Sequence, residues 1–532
     1  MSLKIFPKKD AGWQVKKTGN TCAYAAGYGF VNGRYTTAGG MAEFFIKNTY
    51  GDLSAFCDLV KSINGNFALI VSRECNLFAA VDRVRSHPIF YCFKDGTLYI
   101  GDDVNSIKNA AGRICAGPQA AEEYLMSGYV SGGNTLCDEI KGLQAGECLG
   151  AKSDETEICR DIALKRYYLY YNAAKLQQPP ASLINTHDRI VENAFKRIAE
   201  SAGGRKLVIP LSGGVDSRLV ASMFKRIGHK NILCISYGIP GNWETKISRA
   251  AADKLGYEWI FMPYSREKWR DISKSGEWHK FFYSFNNISS VPNVNEWLAV
   301  SGLKKDRIIP DDAVFVPGHT GDFISGGHIH YVFDEKTDNI TIDGLSEKML
   351  RKHYALWPLL LKDPQIKKRA VRRLSESFKN FRLESAQSII DAYECWEWQE
   401  RQAKFIVNSA RVYDFWGYEW RIPLWDSELM DFWSAVPYKL KLRKKLYLDY
   451  LEKTDRYGIF GNNLRRNKLY RKRILPGALR SLLQYFRDTI GIYGIYGYFV
   501  STFLNAGKRS INSIFVKDYL RFFRRNNTKD IE

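Results

Sequence analysis

Residues 206–228 constrain the fold more than any other stretch. Lys206–Leu211 (KLVIPL) is a short apolar run of the kind found in strands covered on both faces. Ser212-Gly-Gly-Val-Asp-Ser217 follows at once. Apolar residues at Leu219, Val220, Met223, Phe224 and Ile227 then fall on one face of a helix that Gly228 can end. A glycine-rich turn therefore joins a strand to a helix N-terminus. The two glycines let backbone amides turn inward, Ser212 and Ser217 add hydroxyls, and the helix dipole favours an anion, so the turn suits a phosphate or pyrophosphate. Asp216 amid such donors is a poor phosphate ligand by itself, but a good ligand for Mg²⁺ bridging phosphate oxygens. No Gly-x-x-x-x-Gly-Lys-[Ser/Thr] pattern is present, which argues against a Walker-type kinase or GTPase. The plain alternative is a strand–helix turn that simply needs its glycines.

The 532 residues exceed one compact core and call for two or three domains. The chain divides near residue 175. Before that point Asn66–Ser72, Leu77–Val81, Ile89–Phe93 and Thr97–Ile100 read as successive strands, with Asp95-Gly96 as a hairpin turn. Residues 172–182 (NAAKLQQPPAS) read as a linker and Ile184–Ala202 as a helix. Strands then alternate with helices to about residue 320, which implies a parallel sheet with crossover helices, and from about residue 345 to the end the reading is mostly helical. The ten cysteines contain no Cys-x-x-Cys pair, so neither a zinc site nor a disulfide scaffold is expected. The first ten residues hold no apolar core of signal-peptide length, and a reducing cytoplasm is the expected compartment.

The net charge is +21, and the 92 residues from Lys441 onward carry 21 Lys/Arg against 7 Asp/Glu, or +14 of it. Such a tail suits an anionic membrane, nucleic acid or an acidic partner, or is an ordinary solvated helical face. Within it Ile490–Leu504 is apolar and tyrosine-rich, yet shorter than the ~20 residues of a spanning helix.

These motifs, taken in order, resemble a known family. Ser212–Ser217 after a strand is similar to the pyrophosphate loop of N-type ATP pyrophosphatases. Ile235-Ser-Tyr-Gly-Ile-Pro-Gly241, Glu244 and Ala250–Gly256 resemble the next strand and helix of that fold. Val314-Phe-Val-Pro-Gly-His-Thr-Gly-Asp322, the pair Gly326-Gly327 and Phe415-Trp-Gly-Tyr-Glu-Trp-Arg-Ile-Pro-Leu-Trp-Asp426 narrow the resemblance to asparagine synthetase and its relatives, including β-lactam synthetase. Ile63–Ala68, Val81–Arg83, Pro88–Tyr91 and Gly101–Asp103 look like strands of the family's glutaminase domain.

The resemblance implies an α+β, Ntn-hydrolase-like first domain of glutamine amidotransferase type over 1–170. It implies an α/β parallel-sheet ATP pyrophosphatase domain over 171–475, with a helical C-terminal part, and leaves a basic helical tail over 476–532. It also implies ATP and Mg²⁺: Leu211, Ser212, Gly213, Gly214, Asp216, Ser217, Tyr237, Pro317 and Gly318 would hold the nucleotide, and Asp216 and Asp322 the metal. The reaction implied is adenylation of a small-molecule carboxylate, then displacement of AMP by ammonia or an amine. The family's lysine lies in an Arg-x-Lys segment about twenty residues beyond a lysine that starts a helix. Arg466-Asn467-Lys468, counted from Lys445, is the nearest match although three residues too far, which makes Lys468 the candidate.

Departures from the family pattern shape the expectation further. Position 2 is Ser2 where the family has its nucleophilic cysteine, and too few residues precede Asn64-Gly65 for the missing glutamine-binding segment. Cys22-Ala-Tyr-Ala-Ala-Gly only faintly echoes the family start. The first domain is therefore expected to be glutaminase-dead, with ammonia, an amine or a separate glutaminase as nitrogen source. His319 stands where asparagine synthetase has glutamate and β-lactam synthetase tyrosine; with an ordinary pKa near 6.5 it could deprotonate an attacking amine. Pro317 replaces a serine and removes a donor near adenine. His328-Ile-His330 would be at best an incomplete metal pair on one strand. Resemblance also associates truncated chains of this kind with surface-polysaccharide assembly, so a sugar acid is a candidate acceptor and the tail a candidate membrane-surface contact at the inner face. The alternatives are a degenerate scaffold of the same fold and a tRNA-acting pyrophosphatase relative; the absence of a recognised RNA-binding motif argues against nucleic acid.

Overall fold

The computed structural model describes residues 3–461 except 9–10, 113–116, 154–158, 273, 286–287, 292–293 and 334–339. Lys468, the basic tail and Ile490–Leu504 lie outside the described residues.

The first part contains strands β1 (Leu3–Phe6), β2 (Gln14–Thr18), β3 (Thr21–Val31), β4 (Arg34–Thr37), β5 (Asn64–Arg73), β6 (Asn76–Val81), β7 (Phe90–Lys94), β8 (Thr97–Gly101), β9 (Lys141–Gly142), β10 (Glu147–Ser153) and β11 (Cys159–Arg166). They form two sheets, ordered β1-β8-β7-β9 and β11-β10-β6-β5-β3-β2 with β4 on β3. All four strands read from sequence are present, and the Asp95-Gly96 turn has positive φ at both residues, as a tight hairpin of that type requires.

Strand alternation stacks these sheets into four layers. Ala68, Ile70, Ala79 and Val81 face Leu98 and Ile100 between the sheets. Their neighbours Phe67, Leu69, Val71 and Ala80 point the other way, onto Met41 and Phe45 of helix Ala38–Asn48 and onto Phe56 and Val60 of helix Leu53–Lys61. On the far side Phe90, Cys92 and Tyr99 pack on helices Val104–Ala111 and Pro118–Ser127. These helices, absent from the β-rich reading, cover the outer face of each sheet.

The second part adds β12 (Leu207–Pro210), β13 (Ile232–Gly238), β14 (Glu258–Pro263), β15 (Val314–Phe315) and β16 (Glu419–Trp420). They form a parallel sheet ordered β14-β13-β12-β15-β16. From β12 the chain builds outward through β13 and β14, then crosses to β15 on the other side. The order thus reverses at β12, and a crevice opens beyond its carboxyl end, the usual ligand position in open parallel sheets. Helix Pro180–Ala202 starts four residues earlier than the periodicity suggests, because Pro180 at its first position supplies a helical φ. It buries Val191, Ala194, Phe195 and Ile198 in the same core as β12 and β13.

Asp426 joins the two parts. Arg197 donates to both of its oxygens at 2.8 Å, and Asn64 of the first part donates at 2.9 Å. Asn64 in turn accepts from the Ser427 amide. Arg421 lies over the Tyr28 ring at 4.0 Å, and His87 stacks on Trp420. Asp426 is 8% exposed, and its removal leaves the partly buried Arg197 guanidinium with Glu428, at 2.7 Å, as its remaining carboxylate. Asp426→Ala should therefore cost about 2–4 kcal/mol of stability, read as an earlier denaturant midpoint; Arg197→Lys, which keeps the charge and loses the fork, should cost less.

Candidate active site

The Ser212–Ser217 turn lies at the carboxyl end of β12. The Ser212 amide donates to Ser217 Oγ at 3.1 Å, the Gly214 amide donates to Ser212 Oγ at 3.1 Å, and the two hydroxyls lie 3.1 Å apart. Helix Val215–Arg226 begins directly after Gly214, with Asp216 in its first turn. Leu211 is a core residue, 1% exposed, whose backbone bonds β13.

The loop after β15 meets this turn backbone to backbone. A Cβ on Gly318 would stand 2.7 Å from the Ser217 amide nitrogen, and one on Gly321 would stand 2.5 Å from Asp216 Oδ1. Only glycine permits that approach. It places Asp322, in the short helix Gly321–Ile324, close to Asp216. Lys444 Nζ joins the two carboxylates, 2.5 Å from Asp322 Oδ1 and 3.8 Å from Asp216 Oδ2. Tyr447 OH donates to Asp216 Oδ1 at 2.8 Å. On the other side His328 Nε2 lies 2.9 Å from Asp322 Oδ2, and its Nδ1 lies 2.5 Å from Glu397 Oε1.

The charges follow from these contacts. Burial pushes the Asp216 carboxyl up, and Lys444 opposes it. Asp322 loses some solvation too, yet the His328 hydrogen bond and the Lys444 charge hold it well below the usual carboxylate range. Burial works against a charged His328, but Glu397 and Asp322 hold it above its ordinary value, and Glu397 is correspondingly held low.

Sequence reasoning named Asp216, Asp322, both serines, the turn glycines Gly213 and Gly214 and the loop glycine Gly318, and the fold brings them together. Tyr237 lies next to the carboxyl end of β13; its ring stacks on Tyr264 at 5.4 Å and its hydroxyl donates to Glu296 at 3.0 Å, so it is held at the crevice by a buried carboxylate that also accepts from Tyr413. Pro317 is buried beside Gly318. Two expectations change. His319 does not keep an ordinary pKa: burial pushes its imidazole down to about 4, and its Nδ1 has no partner among the described residues. His328 caps the 3-10 turn Ile329–Tyr331 rather than sharing a strand with His330, and it contacts carboxylates.

Sequence reasoning missed Lys444. It lies in the run Lys441-Leu-Arg-Lys-Lys445, where Lys445 was the expected reference, and pattern alone does not say which lysine reaches the two carboxylates. Arg443 and Lys444 both have left-handed backbone, φ 55 and 62, and that turn aims Lys444 at the carboxylates.

Two carboxylates closing on one ammonium also suit a divalent cation. Asp216 and Asp322 would hold it, and phosphate oxygens and water would complete the six ligands Mg²⁺ prefers. Among the described residues no group of three or more His, Cys, Asp or Glu side chains is arranged to hold a metal ion, so the protein alone does not supply a full ligand set.

Comparison with solved structures gives distant likenesses. The NH3-dependent NAD synthetase from Campylobacter jejuni subsp. jejuni is 14% identical over 38% of this chain and 97% of that one, with a TM-score of 0.20. The allosteric regulatory enzyme of purine biosynthesis is 10% identical over 64% of this chain and 74% of its own, TM-score 0.20. The glutamine phosphoribosylpyrophosphate amidotransferase from B. subtilis is 10% identical over 57% and 63%, TM-score 0.19. Scores this low bear on none of the chemistry. Curated protein sequences give no match. Family profiles are decisive instead: a glutamine amidotransferase domain matches residues 49–168, and asparagine synthase matches residues 191–457, half of the chain, spanning the turn, both carboxylates and Lys444. The chain belongs to the asparagine synthase family.

Proposed function

We propose that the chain is an ATP-dependent carbon–nitrogen ligase that adenylates a carboxylate and passes ammonia or an amine to the acyl group. The observation that carries this reading is the meeting of Asp216, Asp322 and Lys444 at the carboxyl ends of β12 and β15, beside the amide-lined turn. In the first step a carboxylate oxygen bonds to the α-phosphorus of ATP, the bond to the β-phosphate oxygen breaks, and pyrophosphate leaves. The turn amides and the Ser212 and Ser217 hydroxyls would receive the departing phosphates, and Lys444 would swing its charge toward them. A divalent ion held by the two aspartates would neutralise charge on those oxygens. In the second step the nitrogen lone pair bonds to the acyl carbon, AMP leaves, and nitrogen sheds a proton.

His319 is a weak base with a pKa near 4, so its proposed role is to orient the acceptor as a neutral hydrogen-bonding group. The nitrogen source proposed is free ammonia, an amine or ammonia from a separate glutaminase. One observation supports this: Cys22 lies inside β3, paired with Lys17 on one side and Ser72 on the other. Making it a chain-terminal nucleophile would sever the β2–β3 hairpin. The proposed acceptor is a small carboxylate, with sugar acids of surface polysaccharides among the candidates.

Two measurements test this. The purified chain is incubated with Mg-ATP, either ammonium or glutamine, and a carboxylate panel of aspartate and uronic acids, and the nucleotide products are identified. AMP and pyrophosphate with ammonium but not glutamine are expected, with Asp216→Ala slower by roughly 10²-fold or more. ADP and phosphate, or equal use of glutamine, would overturn the reading.

The second measurement concerns pH. His319 is favoured neutral in the fold, so it costs nothing above its unfolded pKa near 6.5 and costs stability as pH falls from there toward about 4. His319→Gln should lose less stability across that window, by at most about 3 kcal/mol at its acid end. Its activity profile between roughly pH 6 and 8 should keep the wild-type shape; a lost limb there would restore His319 as the base.

A further inference from the structure

Glu397 is fully buried, at 0% exposure, where helix Ala386–Glu397 passes into a π-helical segment, Trp398–Ile406. It accepts from Gln402 Nε2 at 3.2 Å, has Arg401 at 3.4 Å and contacts His328 Nδ1 at 2.5 Å. A five-residue spacing in an α-helix turns a side chain about 140° away. The wider π turn brings residues five apart onto one face, so Gln402 can meet Glu397. Gln402 Oε1 also accepts from Thr320 Oγ1 at 2.5 Å, in the loop that carries Asp322. The π segment thus grips that loop at two points, Thr320 through Gln402 and Asp322 through Glu397 and His328.

Asp322 needs such a grip. Its neighbours Gly321, Phe323 and Ile324 are buried and anchor the short helix, but the Asp322 side chain itself is half-exposed and has no packing among the described residues to fix its rotation. Lys444 occupies Oδ1 and His328 occupies Oδ2. If Lys444 turns toward phosphate, Oδ1 becomes free for a cation while the His328 bond still fixes the carboxylate plane. Without that bond the side chain would be free to rotate, and ordering it would be charged to each binding event.

We propose that His328 and Glu397 are positioning residues which hold Asp322 in the orientation the nucleotide site uses; this rests on the reading of Asp322 as a nucleotide-site carboxylate. Neither needs to touch the nucleotide. Glu397 fixes the ring of His328, His328 fixes Asp322, and the π segment sets where Glu397 stands.

Calorimetric titration of ATP into the full chain at graded Mg²⁺ tests this, with a melting curve taken for each variant. Glu397→Gln and His328→Ala should each raise the Mg²⁺ concentration for half-maximal ATP binding by roughly 10–100-fold, with binding in the absence of Mg²⁺ unchanged. His328→Gln, whose amide can still donate to Asp322, should recover most of the loss. A purely structural role would instead give losses that track melting temperature and leave His328→Gln no better than His328→Ala, and that result would overturn the inference. An unchanged Mg²⁺ requirement in a well-folded Glu397→Gln would do the same; if that variant melts early, the two His328 variants decide. Asp322→Asn, run in parallel, separates the two levels. If it abolishes the Mg²⁺ effect while Glu397→Gln and His328→Ala leave it intact, only the positioning role falls. If Asp322→Asn itself leaves the effect intact, the reading of Asp322 falls and the positioning role with it.

Discussion

Two carboxylates that share one ammonium define the crevice, and much of the second part of the chain is arranged to bring them together. Asp216 and Asp322 would repel each other if both were charged and near, and burial of Asp216 makes that worse. Lys444 resolves the conflict, because its charge lies between them. The three groups come from separate elements: a helix N-terminus after β12, a loop after β15, and the left-handed turn before helix Lys445–Lys453. No local propensity assembles them. The sheet order does, by reversing at β12 so that two strand ends open side by side.

Packing then fixes the direction from which Lys444 arrives. Tyr447 and Tyr450 of its helix are buried, and Tyr450 packs edge-on against His187 of helix Pro180–Ala202 at 4.4 Å. Tyr447, one turn beyond Lys444, also bonds Asp216. The helix is thus anchored on the core by one aromatic and on the site by another, and the left-handed pair at Arg443 and Lys444 is the hinge between them. A basic residue on such a hinge can serve the carboxylates in one state and a phosphate in another without moving the helix.

How much of this was readable from the chain depends on the range of each interaction. The strand, turn and helix at 206–228 are one local unit, and their spacing revealed both the fold and Asp216. The strands of the first part and the Asp95-Gly96 turn were legible for the same reason. His328 and Glu397 are 69 residues apart, and the π turn that aligns Glu397 with Gln402 has no periodic signal to announce it. Lys444 was hidden within a run of like residues, where backbone handedness rather than composition picks the one that reaches Asp216 and Asp322. His319 was correctly placed in the loop, but its charge state follows from burial, which a sequence does not display. Lys468 and the tail lie outside the described residues, so the structure leaves that expectation where the sequence put it.

The first part of the chain contributes to this site whatever its own chemistry. The π segment that holds Asp322 on one side is itself held on the other. Lys404 donates to the carbonyls of Val130 and Gly132 at 2.8 and 2.6 Å, and Glu400 accepts from the Gly132 amide at 3.0 Å. Lys404 and Glu400 are both about 2% exposed and pair with each other, so these bonds are shielded from water and from salt. A buried ion pair is weak evidence for stability, because desolvation offsets much of its attraction. Its value here is geometric: it locks the register of the π turn against Val130–Gly132. Glu397 and Gln402 then face the loop that carries Asp322 because Glu400 and Lys404 face the first part. The amidotransferase-type domain is thus the surface against which that turn is set, whatever its own activity.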